Sequence, residues 1–359
     1  MTTSNSGGER LPEKVLVTGG GGFLGRAIVR RLIDRGDDVR SLARNFYPAL
    51  EEMGVDQIQG DISNPETVAK ACDNRGIVFH VAAKPPPWGK YDDYYQTNVI
   101  GTQNIINSCL SQNISRLVYT STPSVVFNGK DIEGADESMP YPKKFCTDYS
   151  KTKAIAEQNI VRATNQQLKT IILRPHEIWG PGDNHILPRL VARANRLKQI
   201  GDGKNRIDTI YIDDAADAHI LAADKLQELP ELSGNIYFIS QDEPVLAWDM
   251  VNALLKAAGC SPIKKSVPFK IAWLSGALLE FIYKTLRLSG EPYITRFMAQ
   301  AVSQSHWFNI SAAKKDLGYR PKLTTAEGLK RLEDWLRSSQ AQGAKRDDSG
   351  REHGPAAGS

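Results

Sequence analysis

Two apolar periodicities alternate through the first half of the chain. Lys14–Thr18 (KVLVT) is a short apolar run that reads as a buried strand. Phe23–Arg35 places apolar residues at helical spacing, and Gly36 follows as a stop signal. Val39–Ala43 is a second strand, Gln57–Gln59 a short third and Ile77–Val81 a fourth. Asn98–Gln112 reads as a helix, Arg116–Ser121 as a fifth strand, Tyr149–Gln167 as a long helix and Thr170–Leu173 as a sixth strand. Strands separated by helices predict an α/β fold, a Rossmann-type doubly wound parallel sheet. From about Pro175 the pattern becomes irregular, with Gly- and Pro-rich loops between helices, which predicts a smaller C-terminal substrate-binding lobe. Strands near Thr209–Ile212 and Ile236–Ile239 are expected to rejoin the main sheet. Residues 1–12 and 338–359 are polar and aperiodic and read as disordered ends.

Composition removes several function classes. A net charge of +4 over 359 residues, with no dense basic run, excludes nucleic acid as an expected partner. Cys72, Cys109, Cys146 and Cys260 are widely spaced, which argues against a disulfide framework or zinc site. The six histidines are scattered, so no metal is expected. Met1 to Pro12 lacks the apolar run of a signal peptide, and the most apolar stretch, 271–288, is interrupted by Glu280, Lys284 and Arg287. A cytoplasmic setting is the expectation.

The first chemical signal is Thr18-Gly19-Gly20-Gly21-Gly22-Phe23-Leu24-Gly25, between strand one and helix one. Glycines let the backbone turn tightly and approach a pyrophosphate, and a helix N-terminus offers free N–H groups. Two registers fit: G-x-x-G-x-x-G from Gly19, Gly22 and Gly25, and G-x-G-x-x-G from Gly20. Strand two ends Ala43-Arg44-Asn45, without the acid that binds the ribose 2′-hydroxyl of NAD. A guanidinium suits a 2′-phosphate, so NADP(H) is predicted over NAD(H). The blander reading of Arg44 is a solvated arginine. Asp61 is either an adenine-binding group or a turn residue before Pro65. These signals make 13–174 the nucleotide-binding domain and 175–337 the substrate-binding lobe.

The second signal is Tyr149-Ser150-Lys151-Thr152-Lys153. Residues four apart share a helical face, so Tyr149 and Lys153 can point together into a cleft. An ammonium beside the phenol is expected to lower its pKa from ~10 and allow proton exchange with a carbonyl oxygen. A hydroxyl-rich strand end, Thr120-Ser121-Thr122-Pro123-Ser124, precedes the pair.

With these motifs in this order, the chain resembles the extended short-chain dehydrogenase/reductase family over roughly residues 14–335. The resemblance implies a Ser/Thr–Tyr–Lys triad whose hydroxyl maps onto Thr122, with Ser121 and Ser124 as alternatives. It implies that His80–Ala83 lines the cofactor, that Asn98 supports the site and that Arg174-Pro175 passes near the nicotinamide. The implied cofactor-binding set is Gly19, Gly22, Phe23, Leu24, Gly25, Arg44, Asp61, Ile62, Ala82, Ala83, Lys84, Asn98, Tyr149, Lys153, Arg174 and Pro175. His80 is equally a core histidine.

Two branches of the family compete. TSTPSVVF and GDGKNRID resemble the 3β-hydroxysteroid and sterol-4α-carboxylate 3-dehydrogenase branch. Ala82–Asn104, Lys151–Gln158 and Ile178–Leu190 look closer to the bacterial 2-alkyl-3-oxoalkanoate reductases of long-chain olefin biosynthesis. Either branch implies interconversion of a 3-ketone and a 3-alcohol on a small hydrophobic keto or hydroxy acid. The resemblance also implies a homodimer and, for the second branch, partner enzymes of an olefin pathway. A nucleotide-sugar epimerase or dehydratase is the rival reading, weakened by the lack of an acid in TSTPSVVF.

The lobe carries two further candidates. Arg189, Arg193, Arg196 and Arg206 follow the loop Pro181–His185, and one could meet a substrate carboxylate; a solvated basic face is the plainer reading. Trp273, Leu274, Leu278, Leu279, Phe281, Ile282 and Leu286 form an apolar helical stretch. Core packing is its default reading; an alkyl channel and a membrane-surface contact are the sharper ones.

Overall fold

The structure is a computed structural model that describes residues 11–86 and 88–349. Its main sheet has seven parallel strands: β1 Lys14–Thr18, β2 Asp38–Ala43, β3 Asp56–Gln59, β4 Ile77–His80, β5 Arg116–Thr120, β6 Lys169–Pro175 and β7 Ile236–Ile239. They lie in the order β7-β6-β5-β4-β1-β2-β3. The order reverses between β1 and β4, the crevice where such sheets bind ligands.

Helices of two turns or more are α1 Phe23–Asp34, α2 Pro65–Cys72, α3 Gly101–Ser111, α4 Asp148–Ala163, α5 Ile186–Arg193, α6 Ile212–Glu228, α7 Ala247–Ala257, α8 Phe269–Thr285 and α9 Thr325–Ser349; α1 and α6 cover one face of the sheet and α2, α3 and α4 the other. The strand pattern dictates the layers. Val15, Val17, Phe79 and Val118 pack with α1 and α6, while Leu16, Val78, Leu117 and Ile172 pack with α2, α3 and α4. Both sets are wholly buried, as a sheet covered on two sides requires. Arg31 and Arg35 of α1 tie that helix to Asp217 and Asp224 of α6.

Most predicted strands and helices appear within a few residues of their expected ends. Ile236–Ile239 pairs with β6, as expected. Thr209–Ile212 does not rejoin the main sheet: Ile210–Tyr211 pairs with Ile178–Trp179 in a two-stranded sheet beyond β6. Two residues per strand bury their side chains there without needing the main ladder. The helix predicted from Asn98 also differs. A turn at Tyr91–Tyr94 and a π-helical turn at Tyr95–Ile100 lead into α3. α9 continues to Ser349, past the point at 338 where the tail is expected to begin. Residues 1–10 and 350–359 of the predicted ends lie outside the described residues. No helix among the described residues is long and apolar enough to cross a membrane, and their four cysteines are unbridged.

Candidate active site

A cleft of about 780 Å³ runs along the C-terminal edge of β1, β2, β4 and β5 and on among residues of the C-terminal half, from Pro175 to Phe308. Its floor starts at the glycine loop. Gly19 has φ +72°, and a Cβ there would stand 3.0 Å from the Ala82 Cα. A Cβ on Gly25 would meet the Gly19 carbonyl oxygen at 2.1 Å. The Gly22 amide donates to that same carbonyl at 2.9 Å. The working register is therefore Gly19, Gly22 and Gly25, and with Phe23 and Leu24 all three line the cleft. Gly22 caps α1 without a side chain, so the first-turn N–H groups stay available to an anion.

The opposite wall is organised by His80. Its Nδ1 lies 2.8 Å from Thr18 Oγ1 and its Nε2 2.9 Å from Thr102 Oγ1. Thr102 donates to the Asn98 carbonyl, so it accepts from His80 Nε2–H. Thr18 then donates to Nδ1 and accepts from the Val81 and Ala82 amides. Burial, and next the Lys153 charge, push the His80 pKa down to about 3, so it stays neutral. The core reading of His80 holds, and its work is to hold the Val81–Lys84 segment. Asn98 does likewise: the π-helical turn points it inward, where it accepts from the Lys84 amide at 2.8 Å and donates to Thr152 at 3.1 Å. Neither residue lines the cleft; Ala82, Ala83 and Lys84 do.

Arg44, Asp61 and Ile62 line the outer end. The Asp61 carboxylate accepts from the Ser63 amide at 2.8 Å, the turn role, while still facing the cleft. The side chain of Arg44 is exposed and makes no ion pair among the described residues.

The reacting centre forms where α4 begins. Thr147 caps this helix, accepting from the Ser150 amide at 3.0 Å, and so projects Tyr149 onto the cleft wall. Burial raises the Tyr149 pKa, a hydrogen bond to Thr122 opposes it, and the nearby Glu177 and Tyr94 reinforce it. The phenol and Thr122 line the same cleft. Ser124 lies 3.1 Å from the Thr122 hydroxyl, and the buried Ser121 Oγ has no hydrogen-bond partner among the described residues. All three hydroxyl residues line the cleft.

Lys153 departs from expectation. Its ammonium donates to the Thr120 carbonyl at 2.6 Å and sits 4.3 Å from the centroid of the Tyr119 ring. Burial lowers its pKa to about 7, against the pull of Glu157. Burial is the largest influence on the Tyr149 phenol.

Arg174 also departs from expectation. It does not line the cleft, although Pro175 does. Its guanidinium is buried against Glu157, with Nε to Oε2 at 3.1 Å, and Tyr141 donates to the same carboxylate at 2.6 Å. Facing the sheet interior, the pair locks α4 to β6.

The inner end holds groups the sequence did not reveal. His176 is paired with Asp208 through Nδ1, and its Nε2 lies 3.1 Å from Nδ1 of His306. His306 Nε2 reaches the Ala301 carbonyl at 2.6 Å. Acceptors at both ends require three ring protons on the two imidazoles, so the histidine pair carries one positive charge opposite Asp208. Burial opposes protonation of His176, but Asp208 overcomes it and raises the His176 pKa; burial, and next His176, lower His306 to about 4. Glu177, next in the chain, faces the cleft with φ +46°. The only sequence hint to these groups was their residue types.

Of the four arginine candidates, Arg189 alone lines the cleft. Arg193 joins it on Glu291, while Arg206 donates to the Pro244 carbonyl. The apolar stretch on α8 does not line the cleft and packs only in part, Trp273 lying against a small core of Ile200, Trp248, Ala272 and Ala299. Ala272, Gly276 and Glu280 face inward, and Leu274, Leu278 and Phe281 are each at least 60% exposed. The inward face is small because the Thr295–Arg296 backbone would lie 2.7 Å from a Cβ on Gly276.

Fold and site define a nicotinamide-dependent oxidoreductase of the extended short-chain dehydrogenase/reductase type. The chain belongs to the 3-beta hydroxysteroid dehydrogenase/isomerase family, which it matches over residues 16–270. It is 48% identical to the 2-alkyl-3-oxoalkanoate reductase of Stenotrophomonas maltophilia, covering 89% of this chain and 98% of that one. Identity to the decarboxylating sterol-4-alpha-carboxylate 3-dehydrogenase of Saccharomyces cerevisiae is 35%, covering 90% and 98%. Among solved structures, UDP-glucuronic acid 4-epimerase from Bacillus cereus with NAD has the same fold, with a TM-score of 0.70 at 22% identity over 91% of this chain and 99% of that one.

Proposed function

We propose that this protein is an NADP(H)-dependent reductase that converts the 3-keto group of a 2-alkyl-3-oxoalkanoate into a 3-hydroxyl. The observation that carries this is that Tyr149, Thr122 and Lys153 line one cleft whose inner end is lined by Phe297, Met298 and Phe308. The 48% identity to a reductase of that name supports the substrate class.

The glycine cradle fits a dinucleotide, because Gly19 and Gly25 leave no room for a side chain and the uncapped start of α1 suits a pyrophosphate. Arg44, with no acid at the end of β2, favours the 2′-phosphate. When bound, the nicotinamide supplies the hydride. The chain's own residues handle the oxygen. Thr122 and Tyr149 hydrogen-bond the ketone and orient it. A phenol with a raised pKa keeps its proton at neutral pH and can pass it to the oxygen as negative charge develops there. In this reading Lys153, anchored on Thr120, holds the ribose. The olefin-pathway setting, the homodimer and the cytoplasmic location belong to the same reading.

Tyr149→Phe should lower turnover by about 10³-fold while changing NADPH binding less than twofold, read by stopped-flow absorbance and nucleotide fluorescence. Retained turnover overturns the role of Tyr149. Assays with a 2-alkyl-3-hydroxyalkanoate and a 3β-hydroxysteroid, each with NADP⁺ or NAD⁺, test the substrate. Preference for the steroid with NAD⁺ would move the protein to the sterol branch.

The outward face of α8 supports contact with an anionic membrane surface. Ile271, Leu274, Leu278 and Phe281 form one exposed stripe beside exposed Lys270, Lys284 and Arg287. Glu280, the sole acid of the helix, is turned inward onto Arg296. Cosedimentation with phosphatidylglycerol vesicles, but not phosphatidylcholine vesicles, is the expected result; binding to neither removes the idea.

A further inference from the structure

Charge along the cleft is unevenly spoken for. Lys84 is paired with Asp93 at 2.7 Å, and Lys153 is anchored on the Thr120 carbonyl and assigned to the ribose. The Asp183 carboxylate accepts from three amides at the start of α5, those of His185, Ile186 and Leu187. Arg44 stands at the outer end. The charge shared by His176 and His306 is met by Asp208. The other cation lining the cleft, among the described residues, is Arg189.

Arg189 and Arg193 are one turn apart on α5 and both reach Glu291. Arg193 Nη2 lies 2.8 Å from Oε1, and Arg189 Nη2 lies 3.2 Å from Oε2. Two guanidiniums share one carboxylate, so the cluster keeps one unmatched positive charge. The two arginines are not equivalent. Arg193 is 21% exposed, donates to the Tyr293 carbonyl at 3.2 Å and stacks on the Tyr293 ring at 5.4 Å. Arg189 is 44% exposed, holds Glu291 at the longer distance and, among the described residues, makes one other hydrogen bond, to the Pro86 carbonyl at 3.4 Å. Arg193 is the anchor of Glu291, and Arg189 is the arm that can turn.

Arg189 and Tyr94 hold neighbouring carbonyls of the cleft rim, Arg189 that of Pro86 and the Tyr94 hydroxyl that of Pro85 at 3.2 Å. The Tyr94 ring in turn packs 6.2 Å from that of Tyr149. In a 3-oxo acid the carboxylate lies two carbons from the ketone. Such a molecule, hydrogen-bonded at both ends, bridges two donors about 10 Å apart.

We infer that Arg189 is the carboxylate-recognition residue of this cleft, taking the C1 carboxylate of the substrate while Arg193 retains Glu291. Glu291 occupies the clamp as the protein's own carboxylate and is exchanged for the substrate's on the Arg189 side. No bond is made or broken in this exchange. The assignment of the ligand as a 2-alkyl-3-oxo acid rests on the functional reading above.

The test compares wild type with Arg189→Gln. One readout is kcat/KM for oxidation of a 2-alkyl-3-hydroxyalkanoate and of its methyl ester with NADP⁺. The other is calorimetric binding of dodecanoate and of 1-dodecanol with NADP⁺ present, which needs no turnover. Loss of one charge-assisted hydrogen bond should lower kcat/KM for the acid about 10- to 100-fold through KM, and weaken dodecanoate binding to match. The ester and dodecanol should change less than twofold. Glu291→Gln should lower KM for the acid. If Arg189→Gln keeps the preference of wild type for acid over ester, or weakens both equally, the assignment is overturned while the reductase reading stands. If wild type oxidises neither compound but binds dodecanoate in an Arg189-dependent way, the carboxylate site stands and the reductase reading falls.

Discussion

The two ends of the cleft are built by different means. At the outer end the backbone does the work: Gly19 and Gly25 clear a path, and the start of α1 presents its N–H groups. The residues responsible lie within eight positions of one another. At the inner end side chains do the work, and they come from far apart. His176 meets His306 across 130 positions, and Arg193 meets Glu291 across 98. The first kind of site is local and rigid. The second depends on the whole lobe closing correctly, and its charges are balanced by pairs that a single substitution unbalances.

The largest expected effect lies behind both ends. Glu157 and Arg174 are almost fully buried, so Glu157→Gln leaves an uncompensated guanidinium in the sheet. It should cost about 3–5 kcal/mol of unfolding free energy, read by urea titration. A loss below ~1 kcal/mol would mean that α4 is held by packing alone.

Gly25→Ala tests the local end. A Cβ at 2.1 Å from the Gly19 carbonyl must displace backbone, at a cost of about 1–3 kcal/mol. If that cost falls on the cradle, NADPH affinity drops by about 5- to 150-fold with the inner end intact. Unchanged affinity would show that the loop yields more than its contacts suggest.

Asp208→Asn tests the distant end through pH. Asp208 raises the His176 pKa, so the pair contributes stability that is fully present below the ordinary histidine pKa of ~6.5 and is lost as pH rises through the raised value. The variant should be less stable than wild type by about 1–3 kcal/mol at pH 6, and the gap should narrow toward pH 9, read as Tm at each pH. A gap that is constant or widens would refute the shared charge.

The smallest effect is at the cleft rim. Arg44→Ala should raise KM for NADPH about tenfold, roughly 1.4 kcal/mol, and leave KM for NADH within twofold. Equal change in both would return Arg44 to the solvated surface and reopen the choice of nucleotide.

Much of this contrast was visible in the chain before any coordinates. The apolar runs from Val15 to Leu173 mark the strands because a doubly covered sheet tolerates little else. Tyr149 and Lys153 were legible because helical spacing alone puts them on one face. The behaviour of Lys153 was not: its tie to Thr120 depends on how closely β5 passes beneath α4. Arg174 misled for a similar reason. Its neighbour Pro175 reaches the cleft, and strand alternation turns the arginine the other way, onto Glu157. The apolar stretch of α8 reads as core in any periodicity, yet its small residues take the inward face.

The sequence by itself determined the order of strands and helices, the glycine cradle and the Tyr149–Lys153 pair, because each rests on contacts between residues close in the chain. Tertiary structure alone decided the partner of Arg174, the shared charge of His176 and His306, the Arg189–Glu291 clamp and the exposed face of α8. Those depend on which distant side chains are brought into one low-dielectric space, and no local pattern encodes that distance.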